Sequence, residues 1–170
     1  MKLKVVKKQT NSTNCFICGM ENASGVKAPF YNLEDGSVAT IFKFKDTHQS
    51  YPGRTHGGII SAMLDELVGR VLWVTEPNTY AVTTTMTIKF RKPVPYNEQL
   101  KGRGYVVKDG SRMYVGKGDL YDMNDNLLAE FEGTYLKLSS DKASNSDTNI
   151  EDEMNYFIPD DITEFTFPER

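Results

Sequence analysis

His56-Gly57-Gly58 followed at a fixed distance by Asp65 is the spacing in this chain that most directly suggests chemistry. Two glycines at the start of a helix leave its first N–H groups uncovered, and the positive end of the helix dipole adds to their pull on an oxyanion. Gly57 and Gly58 therefore form a candidate oxyanion site for a carbonyl compound. Asp65 lies eight residues, just over two turns, further on. A carboxylate there can serve as general base on water or as nucleophile at an ester or thioester. Glu66 is its competitor, but Arg70 stands at i+4 and offers the ordinary helical ion pair, so the chemistry is assigned to Asp65. His56 is a candidate for orienting the loop or hydrogen-bonding substrate, with a purely structural role as the alternative.

These residues must be positioned by one helix, expected from Gly57 to about Val74 and stopped by Pro77. Turning about 100° per residue, its apolar side chains fill an arc of roughly 220°, wider than the stripe of a surface helix. Asp65 sits at the edge of that arc. Such a helix is covered on most sides, which two layers of one chain do not accomplish, and a second subunit is the simplest cover.

Around the helix the chain reads as strands. Ser37–Lys45 alternates with Val38, Thr40, Phe42 and Phe44 on one face, and Tyr80–Arg91 alternates over its whole length. Gln99–Lys108, Arg112–Tyr121 and Leu127–Leu138 follow, joined by Asp109-Gly110 and Asn124-Asp125-Asn126 turns that make neighbours antiparallel. The expected class is α+β, an antiparallel sheet packed on one long helix. Three segments are expected: a polar stretch over 1–14, the domain over 15–138, and an acidic linker and tail over 139–170. The tail carries nine acidic residues against Lys142 and Arg170, which leaves the body mildly basic within a net charge of −3. Its aromatics, Tyr156 to Phe167, either dock back on the body or extend into solvent.

The basic excess is too small for nucleic acid, and no Arg-rich or aromatic-interleaved run supports that partner. No uncharged apolar run long enough for a membrane span or a signal peptide occurs, so a cytoplasmic protein is expected. Cys15 and Cys18 do not make a disulfide framework. With His48 and His56 they number four candidate zinc ligands, but seven residues separate the histidines, outside the usual finger range. A tightly packed turn with buried thiols is expected instead, with no metal and no cofactor.

His56-Gly57-Gly58 with Met63-Leu64-Asp65-Glu66, the loop His48-Gln49 and Tyr51-Pro52-Gly53, and Cys15-Phe16-Ile17-Cys18-Gly19 together resemble hotdog-fold acyl-CoA thioesterases of the phenylacetate-pathway (PaaI-like) branch. The resemblance covers residues 15–138. It implies a five-stranded antiparallel sheet wrapped around the helix, homodimers or homotetramers with the site at the dimer interface, and hydrolysis of an acyl-CoA thioester. It further implies that Asp65 activates water or attacks directly, that the Gly57 N–H holds the oxyanion, and that a hydroxyl from the partner's strand, Thr83, stands near the reacting centre. Simple alternation would put Thr84 on the helix side instead, unless the strand bulges. The loop Asn of some relatives is absent, which leaves Gln49 or Ser50 to position water. Lys89, Arg91, Lys92 and Arg112 are available to coenzyme A phosphates. A non-catalytic acyl-CoA-binding protein on the same fold is the second reading and a dehydratase the third.

Overall fold

The computed structural model describes residues 1–169. Its strands are β1 (Lys2–Lys8), β2 (Tyr31–Leu33), β3 (Val38–Phe42), β4 (Tyr80–Phe90), β5 (Leu100–Asp109), β6 (Met113–Asp122), β7 (Leu127–Leu138) and β8 (Glu164–Thr166). The helices are α1 (Gly57–Gly69) and the single-turn α2 (Leu72–Thr75), α3 (Ser140–Ala143) and α4 (Ile150–Glu153). All strands join one antiparallel sheet in the order β4-β7-β6-β5-β3-β2-β1-β8. The five strands expected around the helix are thus extended to eight by β1, β2 and β8. The polar first residues pair as a strand because Lys side chains at alternate positions keep their charges in water while Leu3 turns inward. Among the described residues no helix is long and apolar enough to cross a membrane.

Helix α1 packs across one face of β3 to β7, with Ile60, Met63, Leu64, Leu67 and Val68 buried. The floor beneath it is made of glycines. A Cβ on Gly116 would stand 2.4 Å from Val68 Cγ1, and one on Gly118 2.8 Å from Val68 Cγ2. Lacking side chains there, β6 lets the helix approach closely. The single helix expected to run to Val74 ends instead at Gly69. The buried Tyr114 hydroxyl donates to the carbonyls of Val68 and Gly69, at 3.2 and 3.1 Å, and satisfies oxygens that a longer helix would have used.

The sheet's other face carries a smaller core of Leu3, Tyr31, Leu33, Ala39, Tyr121, Phe165 and Phe167. The acidic tail returns to build it, with β8 pairing with β1 and both aromatics buried. Burial of the two rings drives this return, and the tail's acids meet the basic first strand in Lys2–Glu164 and Lys8–Asp160 ion pairs.

Replacing Gly116 by Ala should cost about 1–3 kcal/mol, because the added methyl must displace Val68 or lift α1. Urea unfolding of the variant measures it. Gly36→Ala, at a turn with φ 81° and open space around it, should lose only the smaller cost of a left-handed residue.

Candidate active site

The α1 N-terminus is fixed by a loop tied down at several points. His56 N–H donates to His48 O at 2.9 Å, and Thr55 N–H to Val94 O at 2.8 Å. His56 is the helix N-cap, and its Nδ1 accepts from Gly58 N–H at 2.9 Å. Ile59 and Ile60 donate to His56 O. The Gly58 N–H, expected to face substrate, is therefore occupied. Among the described residues the Gly57 N–H has no acceptor, and it remains as the donor at this end. The Phe90 ring lies 3.4 Å from where a Gly57 Cβ would stand. Gly57 lines a cleft of ≈ 350 Å³ with Arg54, Thr55, Ile60, Phe90, Arg91, Lys92, Pro93 and Val94.

Asp65 lines a different cleft, of ≈ 290 Å³, whose wall includes Gly69, Trp73, Tyr80, Thr83 and Tyr135. Ala143 and Ile150 from the tail close part of it. Asp65 Oδ1 accepts from Thr83 Oγ1 at 2.7 Å and from Tyr135 OH at 2.9 Å. Burial raises the Asp65 pKa above its ordinary 3.8, the two hydrogen bonds pull it down in part, and the Glu66 charge raises it again. The carboxylate is thus held in one orientation, partly stripped of water, and more basic than a surface aspartate. Those are the properties of a general base.

Thr83 faces Asp65 of its own chain, not from a partner's strand as the resemblance implies, because β4 bulges. Register with β7 shifts between Thr83 and Thr85, so an extra residue, Thr84, opposes no partner and the alternation changes face. Ala81 on one side of the bulge and Ile88 on the other both pack toward the core, although simple alternation assigns them to opposite faces. Thr84, the rival hydroxyl, turns outward and donates to Thr134 O.

The remaining candidates separate. Gln49 Oε1 accepts from Tyr96 OH, and Ser50 N–H donates to Arg54 O, both in the loop at the Gly57 end. Arg91 reaches the Gly57 cleft but also pairs with Glu130. Lys89 points to a groove on the sheet's outer face, and Arg112 sits in the β5–β6 turn, lining neither cleft. Tyr135 and Arg54 were not anticipated from sequence. The signal for Tyr135 is a tyrosine at an inward position of an apolar strand, whose hydroxyl needs a buried partner.

Glu66 and Arg70 do pair, Nε to Oε1 at 2.7 Å, but not as a surface pair. Arg70 is 2% exposed, stacks over Phe30 and donates through Nη1 to Thr10 O and Gln9 Oε1. Glu66→Ala should therefore cost about 3–5 kcal/mol by leaving a buried guanidinium without its counter-charge, as chemical denaturation would show.

Asp65→Asn should do the opposite at neutral pH. Folding raises the Asp65 pKa, so the native state holds this proton more tightly than the unfolded chain; the associated stability is present below 3.8 and lost as pH rises through the folded value. Removing the ionisable group should raise Tm at neutral pH and leave it nearly unchanged in acid, which thermal melts across pH test.

The thioesterase superfamily model matches residues 52–129, the stretch from the loop before α1 to the start of β7. An esterase of Saccharolobus solfataricus is 27% identical over 124 residues, covering 71% of this chain and 78% of that protein. Human acyl-coenzyme A thioesterase 13 is 25% identical over 117 residues, covering 69% and 79%. Among solved structures, a thioesterase superfamily protein aligns with TM-score 0.66 at 24% identity, over 72% of this chain and 59% of the other. A Streptococcus mutans protein bound to acetyl CoA aligns with TM-score 0.57 at 25% identity, over 61% and 82%. Escherichia coli PaaI, from the phenylacetic acid degradation operon, aligns with TM-score 0.61 at 16% identity, over 67% and 81%. The helix with its glycine pair and acid, seated in an antiparallel sheet of this order, gives the chain the hotdog fold of these thioesterase superfamily proteins.

Proposed function

We propose that the chain is an acyl-CoA thioesterase of the PaaI-like branch, working in the cytoplasm as a homodimer or homotetramer, and hydrolysing its thioester to free acid and coenzyme A. The observation that carries this is the Asp65 carboxylate, raised in pKa by burial and aimed by Thr83 and Tyr135 into an open cleft. Asp65 takes a proton from water as the water oxygen attacks the thioester carbon, or attacks that carbon itself to give an anhydride that water then opens. The carbonyl oxygen gains negative charge in either case, and the Gly57 N–H at the α1 N-terminus is the donor suited to it. The thiolate of coenzyme A departs; in the first route it takes up the proton Asp65 drew from water, and in the second a proton from solvent that the later opening of the anhydride by water returns. The acetyl CoA bound to the S. mutans relative supports coenzyme A as the carrier.

One chain does not bring these parts together. Gly57 and Asp65 are separated by about 12 Å along the helix and open into different clefts. Strand β4 reconciles them. It is the sheet's first strand, bonded among the described residues to β7 alone, with Val82, Met86 and Phe90 exposed. Pairing β4 antiparallel with β4 of a second copy carries the Phe90 end, where Gly57 lies, to the Tyr80–Thr83 end, where Asp65 lies. The partner's Gly57 then faces this Asp65, and the basic Arg54, Arg91 and Lys92 stand at the mouth for the coenzyme's phosphates. This also covers the apolar edge.

A panel of short, long and aromatic acyl-CoAs, read by thiol release, should find a substrate, and Asp65→Ala should reduce turnover by about 10²–10⁴-fold with the fold intact. Gly57→Pro removes the N–H while keeping a helix-compatible residue after an extended His56, φ −63° and ψ 131°. Each variant alone should be inactive, and co-refolded together they should recover about a quarter of wild-type activity, since only mixed dimers hold one complete site. Tight acyl-CoA binding without turnover across the panel would instead indicate a binding protein, and unchanged Asp65→Ala activity would remove that residue's role.

A further inference from the structure

The two thiols of Cys15 and Cys18 take no part in the site above, yet the fold turns both toward α1. The turn is closed by Gly19 N–H donating to Cys15 O at 2.7 Å, and Ile17 N–H donates to Cys15 Sγ at 3.3 Å. Across from them, Glu66 divides its carboxylate. Oε1 accepts from Arg70, while Oε2 stands 3.9 Å from Cys15 Sγ. The two sulfurs and a Glu66 oxygen all lie within 4.8 Å of one another. Tetrahedral zinc, with sulfur at about 2.3 Å and oxygen at about 2.0–2.2 Å, spaces its donors roughly 3.5–3.8 Å apart. The cluster is within about an ångström of that arrangement.

Arg70 stands beside this cluster, its guanidinium buried and paired with Glu66, so its charge offsets part of what two thiolates and Glu66 would bring to the interior. We infer that Cys15, Cys18 and Glu66 form a binding site for a thiophilic divalent cation of the zinc class, tying the N-terminal turn to α1. On binding, each S–H bond is replaced by a sulfur–metal bond and two protons leave to solvent. The dication, two thiolates, Glu66 and Arg70 then sum to zero charge, so no net charge is buried. Three protein ligands leave the fourth position to water.

The histidines that sequence offers as ligands are committed elsewhere. His48 Nδ1 accepts from Lys45 N–H and Nε2 donates to Ser24 O, while His56 caps α1. The acid that completes the cluster comes from a helix 48 residues beyond Cys18, which no local motif marks.

The test uses the full chain, reduced and stripped with chelator, then titrated with Co²⁺. Expected are one equivalent bound, the intense visible absorption of a tetrahedral ion with a thiolate charge-transfer band, displacement by Zn²⁺, and loss of reactivity of both thiols toward a disulfide reagent when Zn²⁺ is present. Cys15→Ser should abolish the charge-transfer band; should that variant not fold, thiol protection by Zn²⁺ but not Mg²⁺ in the unaltered chain decides. A pale octahedral Co²⁺ spectrum, thiols equally reactive with and without Zn²⁺, a spectrum unchanged in Cys15→Ser, or conversion of the pair to a disulfide with no metal bound when reduced would each overturn the inference. None of these readouts depends on thioesterase turnover.

Discussion

The close approach of α1 to the glycine floor of β6 is the contact on which the rest of the molecule depends. Val68 fills the space that side chains at Gly116 and Gly118 would take, and the helix is thereby lowered into the sheet until Met63, Leu64 and Leu67 are fully buried. Once α1 is that deep, its flanks meet the strands at hydrogen-bond distance. Tyr114 reaches the carbonyls at its C-terminal end, and Tyr135 and Thr83 reach Asp65. A shallower helix would leave Asp65 in water with the pKa of any surface carboxylate. The basicity of the candidate base is thus a consequence of backbone packing rather than of a nearby charge.

Neighbouring acids on one helix meet opposite fates for the same reason. Asp65 looks across to β4 and β7, where the Thr83 and Tyr135 hydroxyls hold it and, among the described residues, no cation pairs with it, so burial keeps its pKa raised. Glu66 looks toward the N-terminal segment and finds Arg70, itself anchored on Gln9 and Thr10. One residue of offset, about 100° around a helix, separates a group that can exchange protons from one that holds the fold together. The thiols of Cys15 and Cys18 fall on the second side.

Much of this was legible in the residues. Periodicity located α1, tight turns ordered β5 to β7, and the glycine pair followed by an acid marked the candidate site. Three things were not. The bulge at Thr84 inserts one residue into an otherwise clean alternation, and no side chain there announces it, so period-two counting put Thr83 on the wrong face. The register of β7 against β4 decides that Tyr135 meets Asp65, although the two lie 70 residues apart in the chain. The tail's return as β8 depends on an apolar patch built by Leu3, Tyr31 and Tyr121, which exists only once the sheet is assembled.

By itself, then, the sequence determined what is local: a wide apolar helix, the glycine pair at its start, the acid two turns along, and strands whose turns make them antiparallel. These follow from periods and backbone stereochemistry within a few residues. Tertiary structure alone decided which hydroxyl faces Asp65, how far that carboxylate is desolvated, that Gly57 and Asp65 of one chain open into separate clefts, and that Glu66 rather than a histidine stands beside Cys15 and Cys18. Each of those depends on the register and depth at which distant segments meet, and register is fixed by the packing of the whole sheet against one helix rather than by any stretch of residues read alone.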